Sequence, residues 1–349
     1  MRRLLVLFVG TALSACSADQ FSDAPDSGVD APSLDAAPPD ALPQPDGGGG
    51  DAVGPPVPAW KPLALPNGDT PDLYSVWGTG FNDVWVAGAG GYVAHWNGAT
   101  FEATGNSGVH LGTNDLRAVW GRGGANKDVL AVGAKGAVYH TTGGTTAWIP
   151  FTGATAGKDL VGAANSAGIF FIQSAQGQQF TFDPPNDIAT KDLVSSQFAG
   201  NLVCNGMHAR RAVCNAGVFL DPIANGGNWV RDNLGAPDLF GVWYTGMEFA
   251  VVGAGGNAGL AIGMGALSMQ KLANADLHGV WVSEDRLNAF AVGDGGTILR
   301  GDIANGKAFA PMLSGTTKNL RGVFGVKDAQ PQTHVFAVGA AGTVLRLDL

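Results

Sequence analysis

The chain has 349 residues, of which 45% are hydrophobic and 14% are charged, with 54 glycines and a formal net charge of −9. This length allows one large domain or two ordinary ones, and the abundant glycine favours a turn-rich fold with few long helices. Residues 17–57 contain eight Asp and no Lys or Arg, so the rest of the chain is almost neutral. No basic cluster is present that could neutralise a run of phosphates, which argues against nucleic acid as a partner.

The first 15 residues have the order of a secretion signal. Two arginines precede an apolar run from Leu4 to Leu13, which is too short for a membrane-spanning helix. The following Leu13-Ser14-Ala15-Cys16 resembles the lipobox of bacterial lipoproteins, and this resemblance implies cleavage before Cys16 and lipidation of its thiol. Ser17 then implies delivery to the outer membrane of a diderm bacterium, on its periplasmic or its surface face. The alternative is an ordinary signal peptide with an incidental cysteine.

Residues 16–57 predict a disordered tether after the lipidated cysteine. The segment is rich in Asp, Ala, Pro and Gly, and Phe21 is its only aromatic residue. It cannot bury enough apolar area to offset the entropy lost on ordering. As a random coil it would span roughly 35 Å between its ends, so its predicted role is to space the following domain from the membrane.

A repeat occupies the rest of the chain. An anchor leucine is followed by any residue, a small residue, Val, and Trp or Phe; a second apolar segment and a glycine turn come next. Five units show this pattern and two are degenerate, and their leucines lie 37 to 44 residues apart. A period near 40 with several short strands per unit predicts an all-β, seven-bladed β-propeller over residues 58–349. The anchors are Leu73, Leu116, Leu160, Leu202, Leu239, Leu277 and Leu320.

Six units carry a segment that predicts a fourth strand, and the seventh unit ends without one. Residues 59–65 read AWKPLAL and are similar to AWIPF at 147–151. We therefore expect the N-terminal segment to complete the last blade and close the ring, which removes open sheet edges. The six predicted fourth strands are Phe101–Thr104, 147–151, Leu193–Gln197, Trp229–Asp232, Leu267–Leu272 and Lys307–Met312.

With these repeats in view, the chain resembles the β-propeller repeats of the photosystem II assembly/stability factor type and their bacterial relatives. It is also similar to myxobacterial repeat lipoproteins with Asp/Pro-rich tails. The resemblance covers residues 59–349 and implies the propeller fold, while it leaves function open, because propellers host many unrelated activities.

The residue after each anchor is the first candidate for binding. It is aromatic or basic in the five clear units, and the next residue is small, as suits inner strands that converge on an axis. Two interpretations stay open: these side chains face the mouth of the central channel, where aromatic and Arg side chains make good binding anchors, or they pack between blades. Trp77, Trp120, Trp243 and Trp281 are predicted to be inter-blade core. The candidates are Tyr74, Arg117, Phe240, His278 and Arg321.

A second recurring position lies four residues after the last glycine of the turn. It carries His95, His140, Arg300 and Arg346 in four units. One interpretation is a blade position where a long side chain packs its stem and reaches water with its charged end. The other is a basic ring that binds anionic groups.

Two cysteines, Cys204 and Cys214, lie ten residues apart in a protein predicted to be exported, so a disulfide is favoured over two buried thiols. A metal site is disfavoured because His208 is the only nearby histidine. Gly253 and Gly255 fit a dinucleotide-binding fingerprint, but the same turn recurs in four other units, so we interpret it as a blade turn.

The sequence contains no recognisable catalytic motif and predicts no cofactor. We expect a monomeric, non-catalytic scaffold that binds another envelope protein. The alternatives are an enzyme acting on envelope glycans or polymers and a purely structural surface protein.

Overall fold

The computed structural model describes most of the chain after residue 57. The predicted signal peptide, Cys16 and the predicted tether lie outside the described residues. Within the described part, no helix is long and apolar enough to cross a membrane. The described ranges are 58–104, 110–123, 127–142, 147–151, 153–166, 168–183, 189–191, 202–222, 229–246, 248–262 and 267–349.

The described residues form seven four-stranded antiparallel sheets, which are the blades of a propeller. Strand β1 is Lys61–Pro62. Blades 1 to 4 comprise β2–β5 (Leu73–Gly80, Asp83–Gly88, Val93–Trp96, Phe101–Ala103), β6–β9 (Leu116–Arg122, Asp128–Gly133, Val138–Thr142, Ile149–Phe151), β10–β13 (Leu160–Ser166, Ile169–Ser174, Gln179–Phe182, Ala189–Lys191) and β14–β17 (Cys204–His208, Arg211–Cys214, Val218–Pro222, Trp229–Asn233). Blades 5 to 7 comprise β18–β21 (Leu239–Tyr244, Glu248–Gly253, Asn257–Ile262, Ser268–Lys271), β22–β25 (Leu277–Val282, Ala289–Gly293, Ile298–Asp302, Lys307–Met312) and β26–β28 (Leu320–Lys327, Thr333–Gly339, Val344–Asp348).

The ring closes as the sequence predicted. Strand β1 pairs antiparallel with β28, with Lys61 opposite Arg346 and Pro62 opposite Leu345, and so supplies the fourth strand of blade 7. The first strand of every blade packs against the first strands of both neighbouring blades, β26 against β2 included. The core lies mainly between blades, where apolar side chains of the second strands are fully buried: all six residues of β3 are inaccessible or nearly so.

The glycine turns join the second and third strands of the blades and are tied to the next blade. In the turn of blade 6, Gly295 and Gly296 have φ of 64° and 73°, and a Cβ on Gly296 would lie 2.0 Å from the Thr316 carbonyl oxygen. The Gly295 amide donates to Asn319 Oδ1 of blade 7 at 2.9 Å. We call this contact a latch. Six latches occur among the described residues, from Gly90 to Asp115, Lys135 to Asp159, Ala216 to Asp238, Gly255 to Asp276, Gly295 to Asn319 and Ala341 to Asp72.

Two sequence predictions about the degenerate units need correction. The anchor of blade 4 is Cys204 and not Leu202, because Cys204 pairs with Cys214 as Leu73 pairs with Gly88 in blade 1. A cross-strand cysteine pair has replaced the leucine and glycine there, which shifts the apparent motif by two residues. The fourth strand of blade 3 is Ala189–Lys191; the predicted Leu193–Gln197 falls outside the described residues.

Candidate functional site

The residues that follow the anchors meet around one end of the axis. They line a mouth with a cavity volume of about 410 Å³, which Asp115 also lines. Five of them were predicted from the sequence. Asn205 was not, because the anchor of blade 4 was misplaced. Val161 follows its anchor directly, but as an apolar residue it breaks the aromatic or basic pattern. The seven mouth residues are Tyr74, Arg117, Val161, Asn205, Phe240, His278 and Arg321.

Small residues at the next position allow the inner strands to converge. A Cβ on Gly241 would lie 2.7 Å from the His278 carbonyl oxygen, and one on Gly279 would lie 2.9 Å from that of Arg321. Real Cβ atoms do not approach backbone this closely, so larger side chains would force the blades apart. This close approach is what brings the seven mouth side chains within reach of one ligand.

One side of the mouth is basic. Arg321, Tyr74 and Arg117 follow one another from blades 7, 1 and 2, with the Arg321 guanidinium carbon 5.7 Å from the Tyr74 ring centroid. Arg321 Nε is buried and has no hydrogen-bond partner among the described residues. Arg117 is exposed, and no ion pair or hydrogen bond from its side chain occurs within the described part of the chain. These unpartnered donors make this side suitable for an anion.

Tyr74 remains a neutral donor between the two arginines. Burial raises the pKa of its hydroxyl, and the nearby carboxylates of Asp115 and Asp72 raise it further. The phenol therefore keeps its proton at physiological pH and can donate it to an oxygen of a bound group.

The opposite side of the mouth is aromatic. The rings of Phe240 and His278 lie with centroids 5.3 Å apart, and His278 Nε2 donates to Asp294 Oδ1 at 2.8 Å. Asn205 Nδ2 donates to the Leu239 carbonyl oxygen at 2.8 Å. Because these polar groups are already paired, this side offers mainly apolar surface.

Below the mouth, an axial cavity of about 170 Å³ ends on rings from four blades. Trp120, Trp243 and Phe324 have centroids 5.6 to 6.0 Å apart, and His208 stacks on Trp243 at 3.9 Å. We call these four residues the aromatic floor. It separates the mouth from a second cavity of about 440 Å³ at the other end of the axis, the distal pocket.

The prediction that four tryptophans are core is correct for two of them. Trp77 and Trp281 are each 5% exposed and lie in the core between blades. Trp120 and Trp243 are only partly buried and line the cavities. Trp77 and Trp281 each pack against a glycine of the next blade: a Cβ on Gly121 would lie 2.5 Å from the Trp77 ring, and one on Gly325 would lie 2.3 Å from the Trp281 ring.

The four basic residues of the third strands do not meet at one site. Each contacts a polar residue of its own blade: His95 with Asp83 (2.9 Å), His140 with Asp128 (3.2 Å), Arg300 with Asn288 (3.1 Å) and Arg346 with Asp348 (3.0 Å). None of the four lines the mouth, the axial cavity or the distal pocket. These partners were not predicted from the sequence. Asp83 and Asp128 each lie five residues before the glycine that pairs with the anchor leucine, and this recurrence could have revealed them.

In two of these pairs, one partner shifts the pKa of the other. Burial raises the pKa of Asp83, but hydrogen bonds from His95 and Thr79 outweigh burial and hold this pKa well below its usual range. Burial lowers the pKa of His140, and Asp128 compensates only in part. Such pairs stabilise blades and leave little capacity to bind a ligand.

Cys204 and Cys214 lie opposite each other on β14 and β15 and are joined by a disulfide, with Cα atoms 3.8 Å apart. The described residues contain no group of three or more potential metal ligands. The bridge covalently links the anchor of blade 4 to the neighbouring strand of the same blade.

The closed ring and its asymmetric mouth define a seven-bladed β-propeller whose central cavity ends at the aromatic floor.

No family model and no curated protein sequence matches the chain. Among solved structures it is similar to YCF48 from Cyanidioschyzon merolae, with a TM-score of 0.62 and 17% identity over 83% of this chain and 98% of the other. It is also similar to a structure described as YCF48 bound to D1 peptide, with a TM-score of 0.62 and 14% identity over 84% of this chain and 99% of the other. At these identities the likeness establishes the fold.

Proposed function

We propose that this protein is a membrane-anchored envelope lipoprotein whose propeller is a non-catalytic scaffold for another envelope protein. The partner docks at the mouth and places an acidic group against Arg117, Tyr74 and Arg321. The observation that carries this proposal is that Arg117 and Arg321 both line the mouth and neither has an ion-pair partner among the described residues.

Two guanidinium groups without a counter-charge attract an anion into the mouth. A carboxylate placed between them would form charge-assisted hydrogen bonds. Phe240 and His278 would then receive an apolar portion of the same partner. Arg and aromatic side chains are the residue types that most often dominate binding energy at interfaces. The structure described as YCF48 bound to D1 peptide, with the same fold, supports a peptide or protein ligand.

A non-catalytic role is favoured by the residues at the mouth. Among the described residues that line it, Asp115 is the only carboxylate, and its Oδ1 accepts the latch hydrogen bond from the Gly90 amide. Glycoside cleavage usually needs two carboxylates at a fixed separation. The described residues that line the mouth therefore do not include the pair of carboxylates that glycoside cleavage usually needs.

The test is crosslinking in intact cells followed by identification of the captured proteins, with the double variant Arg117→Ala/Arg321→Ala beside the wild type. We expect one envelope protein to be captured by the wild type and lost in the double variant. Lys318→Ala is the matched control, because it removes an exposed positive charge close to the anchor of blade 7 without touching the mouth. Equal capture by the double variant would refute docking at the mouth.

The anchor is tested separately with Cys16→Ala. We expect a folded protein released from the membrane fraction, because several acyl chains anchor a protein stably and a tether without them does not. Unchanged membrane association would refute lipidation as the anchor while leaving the binding proposal intact.

A further inference from the structure

The distal pocket is a second cavity, and its lining differs from that of the mouth. Its cavity volume of about 440 Å³ lies in the range of small-molecule sites. All four residues of the aromatic floor line it, and the buried Trp281 lines it as well. Since the rings are inclined to one another by 53° to 85° among Trp120, Trp243 and Phe324, they form a cup.

His208 contributes an uncharged ring to this cup. Its Nδ1 accepts the backbone N–H of Tyr244 at 2.9 Å, so the hydrogen of the neutral imidazole is on Nε2. Burial lowers its pKa to about 3, and the nearby Arg211 acts in the same direction. Within the described part of the chain, no oxygen or nitrogen atom accepts a hydrogen bond from Nε2.

The polar side chains at the rim are already occupied. Thr79 donates to Asp83 and Thr245 donates to Glu248. Ser283 and Lys327 both bind Asp285, at 2.6 Å and 3.0 Å. Few hydroxyl or ammonium groups are left to recognise a ligand that is dense in hydroxyls.

Glu284 is the exception at this rim. It is exposed, it lines the pocket, and its carboxylate has no ion-pair partner among the described residues. The pocket thus combines negative ring faces with one carboxylate whose charge is not neutralised by the protein.

We propose that the distal pocket binds a small organic cation of the quaternary ammonium class. The cation sits against the faces of the floor, and Glu284 supplies the opposite charge. Aromatic cups attract such cations through the ring quadrupole, and desolvation strengthens the attraction. A sugar would also stack on indole rings, but most hydroxyl and ammonium groups of this rim are engaged with protein carboxylates, which leaves it few hydrogen-bond partners besides Glu284 and His208 Nε2.

The decisive experiment compares choline with its uncharged isostere, 3,3-dimethylbutan-1-ol, by calorimetry and tryptophan fluorescence on the full-length protein. We expect choline to bind and the isostere to bind at least about 10-fold more weakly, since the two differ only in charge. Methyl glucoside, the third probe, is expected not to bind. Equal affinity for choline and the isostere, or binding of methyl glucoside in preference to choline, would overturn the proposal.

Variants locate the site. Glu284→Gln should weaken choline binding about threefold, in keeping with an exposed charge pair, and leave the isostere unaffected. Glu102→Gln makes the same change on the outermost strand of blade 1 and should have no effect. Trp243→Leu should abolish choline binding, and a melting curve establishes whether that variant folds. If Glu284→Gln and Glu102→Gln behave alike, the pocket is not the choline site.

Two further arms separate this site from other sources of the same signal. Arg117→Ala/Arg321→Ala should bind choline like the wild type, so failure of the mouth proposal does not affect this one. Co-flotation with phosphatidylcholine vesicles, against phosphatidylglycerol vesicles, distinguishes a lipid headgroup from a free cation as the source. Stronger choline binding in the mouth variant would assign the cation to the mouth, because two positive charges are removed there, and would overturn the distal site.

Discussion

Basic side chains recur in two regions of this propeller, and the two regions use them differently. On the third strands, which we call the paired set, His95, His140, Arg300 and Arg346 each meet a polar residue of their own blade. At the mouth, Arg117 and Arg321 have no such partner within the described residues.

This difference assigns roles that recurrence alone does not. A basic side chain that is already paired and partly buried contributes to stability and has little free energy left for a ligand. A cation beside an open cavity without a partner has its full capacity for charge-assisted hydrogen bonds. Substitutions in the paired set should therefore lower the free energy of unfolding and leave partner binding unchanged. Substitutions at the mouth should weaken partner binding and leave the free energy of unfolding unchanged.

The largest expected effect comes from a substitution that breaks a pair in blade 2. The Asp128 side chain is 2% exposed and contacts both Arg122 and His140. Asp128→Ala should lower the free energy of unfolding by about 3 kcal/mol, because the buried His140 loses its hydrogen-bond acceptor and the partly exposed Arg122 loses its counter-charge. Urea denaturation measures this value, with Glu102→Ala, an exposed carboxylate, expected to cost under about 1 kcal/mol. Equal losses in the two variants would mean that the paired set is not structural.

At the mouth, a single substitution tests geometry as well as charge. Arg321→Lys keeps the positive charge and loses the planar fork that binds a carboxylate with two parallel hydrogen bonds. In quantitative crosslinking, we expect Arg321→Lys to recover about threefold less partner than the wild type. Arg321→Ala should recover about 10-fold less, which is the scale of an interface anchor. The free energy of unfolding should hardly change. Arg300→Ala should show the converse, lower stability with normal capture, and reduced capture in Arg300→Ala would break the comparison.

Acid should weaken the paired set in a defined range of pH. Burial raises the pKa of Asp348, but a hydrogen bond from His334 and the charges of Lys61 and Arg346 lower it to about 2. Because the folded pKa is below the unfolded value near 3.9, this stabilisation is present above pH 4 and is lost as the pH falls towards 2. With allowance for its partial exposure, we expect about 1 kcal/mol.

Between pH 5 and pH 2.5, the free energy of unfolding of Asp348→Asn should therefore fall less than that of the wild type. Urea denaturation at the two pH values measures this difference. The variant no longer titrates at this position, so its curve should be flatter. If the free energy of unfolding falls equally with pH in the two proteins, Asp348 does not contribute in this way.

The smallest expected effect concerns the carboxylates near the mouth. Asp276 accepts the Gly255 amide as a latch at 2.7 Å, and Asn319 accepts the equivalent latch from the turn of the following blade. Asp276→Asn should hence change stability by less than about 0.5 kcal/mol, whereas Asp276→Ala should cost about 1 kcal/mol, the net value of one hydrogen bond. Thermal unfolding distinguishes the two. Partner capture should be normal in both, and a capture defect in Asp276→Asn would give these acids a binding role.

The fold could be predicted from the sequence because a propeller repeats. Anchor, small residue, Val and aromatic residue return at each blade, and the similarity of residues 59–65 to 147–151 identified the strand that closes the ring. The prediction was wrong where one unit departed from the pattern: in blade 4, the true anchor Cys204 is chemically unlike the other anchors, and Leu202 two residues before it was mistaken for the anchor.

The sequence by itself determined the number of blades, the closure and the position after each anchor as the variable one, because these depend on local periodicity. Only the tertiary structure decided which recurring side chains have partners. Asp83 and His95 are 12 residues apart on different strands, and Arg321 and Arg117 come from blades 7 and 2, which are distant in the chain. The closed ring brings the first two together as a pair and places the other two around an open cavity, and closure of a ring is a property of all seven blades at once.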